Sequence, residues 1–290
     1  REVVTADVPG AYLHADMDEF TILKLVGQSV DILCKANPEY EKFVTEENGK
    51  KVLYLQLLKA LYGCIRSAML WYELFAGTLK GMGFVLNPYD LCVANKIIDG
   101  KQCTIAWYVD DLKVSHMKRS VVTNILNTIE SKFGTLQITR GRRHTYLGMD
   151  IIFKQNGTVE IQMKDYIKEA IEASLEDVSK SVLTPAQRTL FEIDEDSETL
   201  GKKQSELYHH IVAKLLCVSA RCRLDIQLTI GFLCTRVKRS TKQDWGKLKR
   251  LLQYLNHTID DSLTIGAENL SNMNTWIDAS YAVHADMKSQ

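Results

Sequence analysis

The sequence has little of what a cross-linked or stiffened chain relies on. Only 4 of its 290 residues are proline, which excludes polyproline rods and collagen-like repeats. The seven cysteines (Cys34, Cys64, Cys92, Cys103, Cys217, Cys222 and Cys234) include no Cys-x-x-Cys pair. Their odd number argues against a closed disulfide framework, so a reducing, intracellular compartment is expected. Net charge is missing too, with 36 basic residues against 36 acidic. A protein that coats nucleic acid by bulk charge is thereby excluded, and any such contact must come from local patches. No apolar run approaches the ~20 residues of a bilayer span, and no charged-then-apolar leader opens the chain, so no membrane partner is expected. The chain starts at Arg1 without methionine, inside REVVTADV, which already reads as a strand. A piece of a longer product is the expectation.

What is present is enough apolar sequence for a substantial core, in an α+β pattern. Glu2 to Ala6 and Thr21 to Leu25 read as strands, and Ser67 to Met82 carries a helical stripe at Met69, Tyr72, Phe75, Leu79 and Met82. Asp99-Gly100 between LCVANKII and QCTIAWYV is a strong hairpin signal. A second hairpin follows, TIAWYV and LKVSH being separated by Asp110-Asp111. Arg119 to Phe133 reads as a helix, TYLGMDIIF and TVEIQM as a hairpin around Asn156-Gly157, and Lys164 to Ala173 as a helix. Composition shifts near Thr184-Pro185, and the acidic stretch Glu192 to Lys203 reads as a linker. Helices are expected at about Gln204 to Arg221, Asp225 to Lys238 and Lys242 to His257, with a short strand at Asn274 to Asp278.

The segment AWYVDDLKV carries the most chemistry. Two adjacent carboxylates in a hairpin turn repel each other and have poor β propensity. A bare pair of this kind reads first as an ordinary solvated turn, since aspartate favours turns. A divalent metal would offset the repulsion, because Mg²⁺ takes one or two carboxylates and completes its shell with water and phosphate oxygens. The start of the chain strengthens that reading, for VTADVPGAY places Asp7 at the end of an apolar strand just before a Pro-Gly turn. A carboxylate there can face a neighbouring hairpin turn, so Asp7 and Asp110 could share two metals ~4 Å apart.

The segments DVPGAYLHADMDEF, LLKALYGCIRSAMLWYELF, YVDDLKV, TYLGMDI, and RLDIQ followed by WGKLKRLLQYL occur in this order along the chain. Together they resemble the reverse transcriptase of copia-type LTR retrotransposons. The resemblance implies a polymerase palm with an antiparallel sheet over residues 1–152, lacking the N-terminal fingers. It further implies a thumb-like hairpin, helix and acidic linker over 153–200, a helical thumb and connection region over 201–268, and the start of a truncated RNase H domain over 272–290.

Residue roles follow from the same resemblance. Asp7, Asp110 and Asp111 would be the catalytic carboxylates, holding two Mg²⁺ ions, or Mn²⁺ in their place, with the carbonyl of Val8 completing one shell. Ala11, Tyr12 and Arg66 would contact the incoming dNTP, the Tyr12 ring acting as a steric gate against a ribose 2′-hydroxyl. Alone, Tyr12 reads first as a core aromatic. Tyr146, Leu147 and Gly148 would grip the primer end, and Asp278 would be the first RNase H carboxylate. Where the family has LKQSPRxW this chain has CIRSAMLW, so Arg66 stands at the usual glutamine and Ala68 at the usual proline.

The implied partners are an RNA template, a DNA primer or duplex, dNTPs, and the protease, integrase and RNase H of the parent Pol polyprotein. The implied location is a cytoplasmic virus-like particle, with later nuclear access of the product. A decayed or domesticated copy that binds nucleic acid or a partner without catalysis is the alternative. Two basic clusters could contact phosphates: Lys132, Arg140, Arg142, Arg143 and His144, and then Arg236, Lys238, Arg239, Lys242, Lys247, Lys249 and Arg250. His209-His210 and Cys217 with Cys222 match no common zinc spacing and read as helix residues.

Overall fold

The computed structural model describes residues 1–267 together with 275 and 277. The expected strand at Asn274 to Asp278, and with it Asp278, lies outside the described residues. The chain divides into two compact units, Arg1–Gly141 and Arg142–Gln290. No helix among the described residues is long and apolar enough to cross a membrane.

The first unit contains β1 (Glu2–Asp7), β2 (Ile22–Val26), α1 (Gln28–Ala36), β3 (Thr45–Glu47), β4 (Lys50–Gln56) and α2 (Ser67–Gly81). It continues with β5 (Val85–Leu86), β6 (Val93–Ile98), β7 (Lys101–Tyr108), β8 (Asp111–His116), α3 (Arg119–Phe133) and β9 (Gln137–Arg140). Its main sheet has the order β5-β6-β7-β8-β1-β9, and every pairing is antiparallel. The first strand of the sequence thus lies between two strands from the far end of the unit. One face of this sheet is packed by α2 and α3, because both helices repeat apolar residues at helical spacing. Trp71, Phe75 and Leu79 of α2 and Val122, Ile125, Leu126, Ile129 and Phe133 of α3 are buried with Val4, Ala6, Leu112 and Val114 of the sheet. Trp71, Phe75 and Phe133 meet ring to ring at 5.2 to 5.8 Å, offset geometries that suit aromatic quadrupoles. A smaller sheet, ordered β2-β4-β3, packs Leu53 on Val30 and Cys34 of α1.

The hairpin signals are realised where the turn chemistry is strong. Asp99 and Gly100 adopt positive φ of 50° and 68° between β6 and β7, the conformation that matches the twist of paired strands. The next hairpin differs from its expected form. Asp111 opens β8 and pairs with Tyr108, so the two turn residues are Val109 and Asp110 rather than Asp110-Asp111. Val109 takes φ of 54°, a strained choice for a β-branched residue. Two hydrogen bonds hold it: the Trp71 indole N–H donates to the Val109 carbonyl at 2.7 Å, and the Val8 N–H donates to the Asp110 carbonyl at 3.0 Å.

The second unit contains β10 (Arg143–Tyr146), β11 (Met149–Phe153), β12 (Val159–Gln162), α4 (Lys164–Ser174), α5 (Lys202–Arg221), α6 (Gln227–Thr235), α7 (Lys242–His257) and β13 (Leu263–Ile265). The four strands form one antiparallel sheet in the order β10-β11-β12-β13. Its core joins Ile167 of α4, Tyr208, Ile211 and Leu215 of α5, Ile230 and Leu233 of α6, and Leu248, Leu251, Leu252 and Leu255 of α7. Thr241 and Asp244 form a capping box at the start of α7, satisfying orphan N–H groups reciprocally. Asp244 is fully buried and also receives Arg236 Nε at 3.2 Å. Arg223 of the RLDIQ segment, 2% exposed, donates to Asp225 at 2.8 Å and to the Thr258 carbonyl at 2.9 Å.

The acidic stretch read as a linker lies along α7. Backbone or side-chain contacts tie it down at Lys242 N to the Glu198 carbonyl (2.9 Å), Gln243 N to Ser197 Oγ (3.1 Å) and Lys247 Nζ to the Glu192 carbonyl (2.6 Å). One ion pair adds to the docking, Lys242 with Glu198 at 2.5 Å, while Lys249 pairs with Glu176 upstream of the stretch at 2.7 Å. This strap takes up much of the charge expected to form an open basic face. The other basic cluster is likewise engaged: Arg140 meets Glu2 at 3.0 Å, Arg143 meets Asp150 at 2.7 Å, and His144 is buried. His209, His210 and Cys217 lie on α5, and Cys222 caps it.

Candidate active site

Register brings the carboxylates together. Asp7 ends β1 and is the direct cross-strand partner of Asp111, the first residue of β8. Directly opposed residues project on one face. That face is opposite to Ala6 and Leu112, which point into the core, because side chains alternate along a strand. Asp110 sits beside them in the turn, its carbonyl fixed by Val8 N–H.

The electrostatics record the crowding. Burial first, and then the charge of Asp110, push the Asp7 carboxyl above the usual carboxylate range. Burial, then Asp110, then Asp7 do the same to Asp111. No ion pair reaches any of the three among the described residues. Among those residues no three His, Cys, Asp or Glu side chains are gathered closely enough to enclose a metal alone. The oxygen-only donor set and the uncompensated negative charge fit a hard divalent cation in an open site, which takes its remaining oxygens from water and phosphate.

The remaining residues of the first unit lie around this corner as follows. Val8 and Ala11 are fully buried, Ala11 in a one-turn 3₁₀ helix that starts after Gly10, whose φ is 66°. Tyr12 is half-buried, and its ring lies 4.3 Å from that of Tyr62. The Tyr62 hydroxyl donates to Asp110 Oδ2 at 3.3 Å. Tyr62 was not singled out from the sequence. The available signal was an aromatic just before Gly63, whose φ of 95° turns the chain into α2. Arg66 is engaged by Asp18, with Nε at 3.2 Å from both oxygens and a terminal nitrogen at 2.5 Å. An incoming triphosphate would have to compete with that carboxylate for its fork.

Tyr146, Leu147 and Gly148 belong to the second unit, where they make the turn between β10 and β11. Leu147 and Gly148 have φ of 52° and 75°. A Cβ at position 148 would come within 3.0 Å of the Tyr166 ring, so glycine is required both by the backbone and by the space.

A family model described as reverse transcriptase (RNA-dependent DNA polymerase) matches residues 1–188. The chain is 23% identical over 274 residues to the retrovirus-related Pol polyprotein from transposon TNT 1-94 of Nicotiana tabacum, covering 92% of this chain and 19% of that protein. It is 25% identical over 281 residues to a putative transposon Ty5-1 protein of Saccharomyces cerevisiae, covering 96% of this chain and 84% of that one. The chain therefore spans about a fifth of the tobacco polyprotein. Among solved structures, a foamy viral protease-reverse transcriptase in complex with RNA/DNA hybrid aligns with a TM-score of 0.42 and 13% identity, over 89% of this chain and 27% of that one.

Proposed function

The chain belongs to the reverse transcriptase (RNA-dependent DNA polymerase) family, and from that premise we propose that it is the polymerase region of a copia-type Pol polyprotein, extending a DNA primer on RNA and DNA templates. The observation that carries the proposal is the register pairing of Asp7 with Asp111 beside the Asp110 turn, three carboxylates sharing one corner without a cation. Family members generally use divalent metals, and here two Mg²⁺ ions are the natural complement to that charge. When bound, such ions polarise the α-phosphate and lower the cost of ionising the primer 3′-hydroxyl. Asp7, Asp110 and the Val8 carbonyl supply the oxygens that hold them, and Asp111 adds negative charge beside the pair.

The rest of the work is positioning, as in other phosphoryl transfers. The Tyr12 ring bounds the sugar pocket and leaves no room for a 2′-hydroxyl. Tyr62, packed against Tyr12 and donating to Asp110, orients that carboxylate beside the sugar pocket. The 146–148 turn steadies the primer strand, and β10 to α7 act as the thumb and connection region.

A primer-extension assay on the chain extended at its N-terminus with the preceding Pol segment tests this reading. Asp110→Asn keeps the side-chain shape but removes the charge, so extension falls by several orders of magnitude while duplex binding persists. Equal extension by the variant would defeat the proposal. Absence of extension in the folded unsubstituted protein would leave a non-catalytic, nucleic-acid-binding copy.

A further inference from the structure

The second unit holds a cavity of about 360 Å³ between residues 180–190, which precede the strap, and the helices α6 and α7. Lys180 and Gln187 from that segment and Gln243, Lys247, Arg250 and Gln253 from α7 line it, and no carboxylate or aromatic ring does. That composition departs from the rest of the α7 surface, where Lys242 and Lys249 each meet an acidic side chain. The cations facing the cavity have no carboxylate partner among the described residues. Lys247 donates to the Glu192 carbonyl at 2.6 Å and stands 4.7 Å over the Phe232 ring. Arg250 donates one terminal nitrogen to Thr184 Oγ1 at 3.0 Å, and its buried Nε meets no acceptor among the described residues.

A buried guanidinium N–H left without an acceptor costs free energy. Such a group calls for an acceptor from water, an ion or a ligand. Three cations with amide and hydroxyl donors between them suit an anion that offers many acceptor oxygens in several directions. A carboxylate offers two, whereas a phosphoryl group offers three or four, and arginine's fork matches it. The volume exceeds that of a single phosphate. Without an aromatic wall there is nothing to stack a base or hold a hydrophobic tail. We propose that this cavity binds a phosphoryl anion carrying two or more phosphates, contributed either by a free polyphosphate or by consecutive phosphates of a nucleic-acid strand.

The site is separate from the carboxylate corner and is tested without any polymerase assay. Inorganic tripolyphosphate is titrated into the full chain by calorimetry, with ³¹P line broadening as a second readout. Saturable one-site binding is expected. Lys180→Ala, a change on an exposed residue that leaves the fold alone, and Arg250→Gln should each weaken it at least tenfold, while Lys238→Gln, outside the cavity, leaves it unchanged. Circular dichroism of each variant separates lost binding from lost folding. Absence of binding at millimolar tripolyphosphate overturns the proposal, as does equal weakening by Lys238→Gln. An oligothymidylate that displaces tripolyphosphate with the same sensitivity to Lys180→Ala and Arg250→Gln assigns the site to a strand. Failure to displace assigns it to free polyphosphate, and both results support the cavity as a phosphoryl site.

Discussion

In the first unit Asp7, Asp110 and Asp111 crowd one corner of a sheet with no ion-pair partner among the described residues, whereas in the second the buried Asp244 meets Arg236 and the buried Arg223 meets Asp225. Both arrangements are costly to build, but in different ways. A buried pair balances its desolvation internally and collapses only when one partner is removed. An unpaired cluster stays under repulsion until something from outside neutralises it. The contrast separates charge used to define a fold from charge kept ready for a ligand, and substitutions can break either side of it.

The largest effect is expected in the second unit. Asp244→Ala removes the N-cap partner of Thr241 and strands Arg236, and should cost about 3–5 kcal/mol. The check is thermal melting together with hydrogen exchange, which should show α7 amides losing protection. Asp244→Asn keeps part of the capping geometry and should cost less.

Trp71→Phe comes next. It leaves the Val109 carbonyl without its donor and should destabilise by roughly 1–3 kcal/mol. Because that hydrogen bond holds the strained turn, primer extension should fall further than the loss of folded protein accounts for. Rates normalised to the folded fraction decide the point.

Tyr12→Val is smaller in free energy but more specific. A sugar gate predicts a rise of about tenfold or more in ribonucleotide over deoxynucleotide incorporation, since the 2′-hydroxyl distinguishes the two. An unchanged preference in a well-folded variant would leave Tyr12 as a packing partner of Tyr62 alone.

The smallest effect tests the cost of burying Asp111 and crowding it against Asp110 and Asp7. The folded-state carboxyl of Asp111 titrates above its unfolded value, so the folded chain holds this proton more tightly. The cost is absent below the ordinary carboxylate range and grows as pH rises through the raised value. Asp111→Asn should therefore raise the melting temperature of the chelator-treated protein at neutral pH, on the order of 1 °C once solvent screening is allowed for. The gain should vanish near pH 3, below both values. A variant less stable at neutral pH would show that Asp111 is held by contacts rather than strained by charge.

Much of this could be read from the chain itself. The turn pairs Asp99-Gly100 and Asn156-Gly157, the apolar stripes of α2, α3 and α7, and the three carboxylates carry local signals strong enough to survive folding. The exact hairpin turn was harder to read, because nothing local marks Val109 as left-handed. Its conformation is imposed by Trp71, far away in sequence. Tyr62 was missed for a related reason: its meaning lies in the stack on Tyr12 and the bond to Asp110, which the loop's residue types do not announce. The acidic stretch Glu192 to Lys203 read as a linker because it has few apolar residues. It docks instead through an ion pair and backbone groups that only α7 supplies. The sheet β2-β4-β3 with α1 is short, interrupted by charge, and weakly patterned.

The place of β1 in its sheet has a consequence for the order of folding. It is among the first segments to leave the ribosome in this stretch of chain, yet its neighbours β8 and β9 are among the last of the unit. Closing so long a loop carries an entropy that must be met before any of its ladder bonds form. A hairpin of β7 and β8 can assemble locally and offer an edge, but β1 waits until that edge exists. The like charges of Asp7 and Asp111 therefore come face to face only at a late step, when most of the surrounding core is available to hold them there.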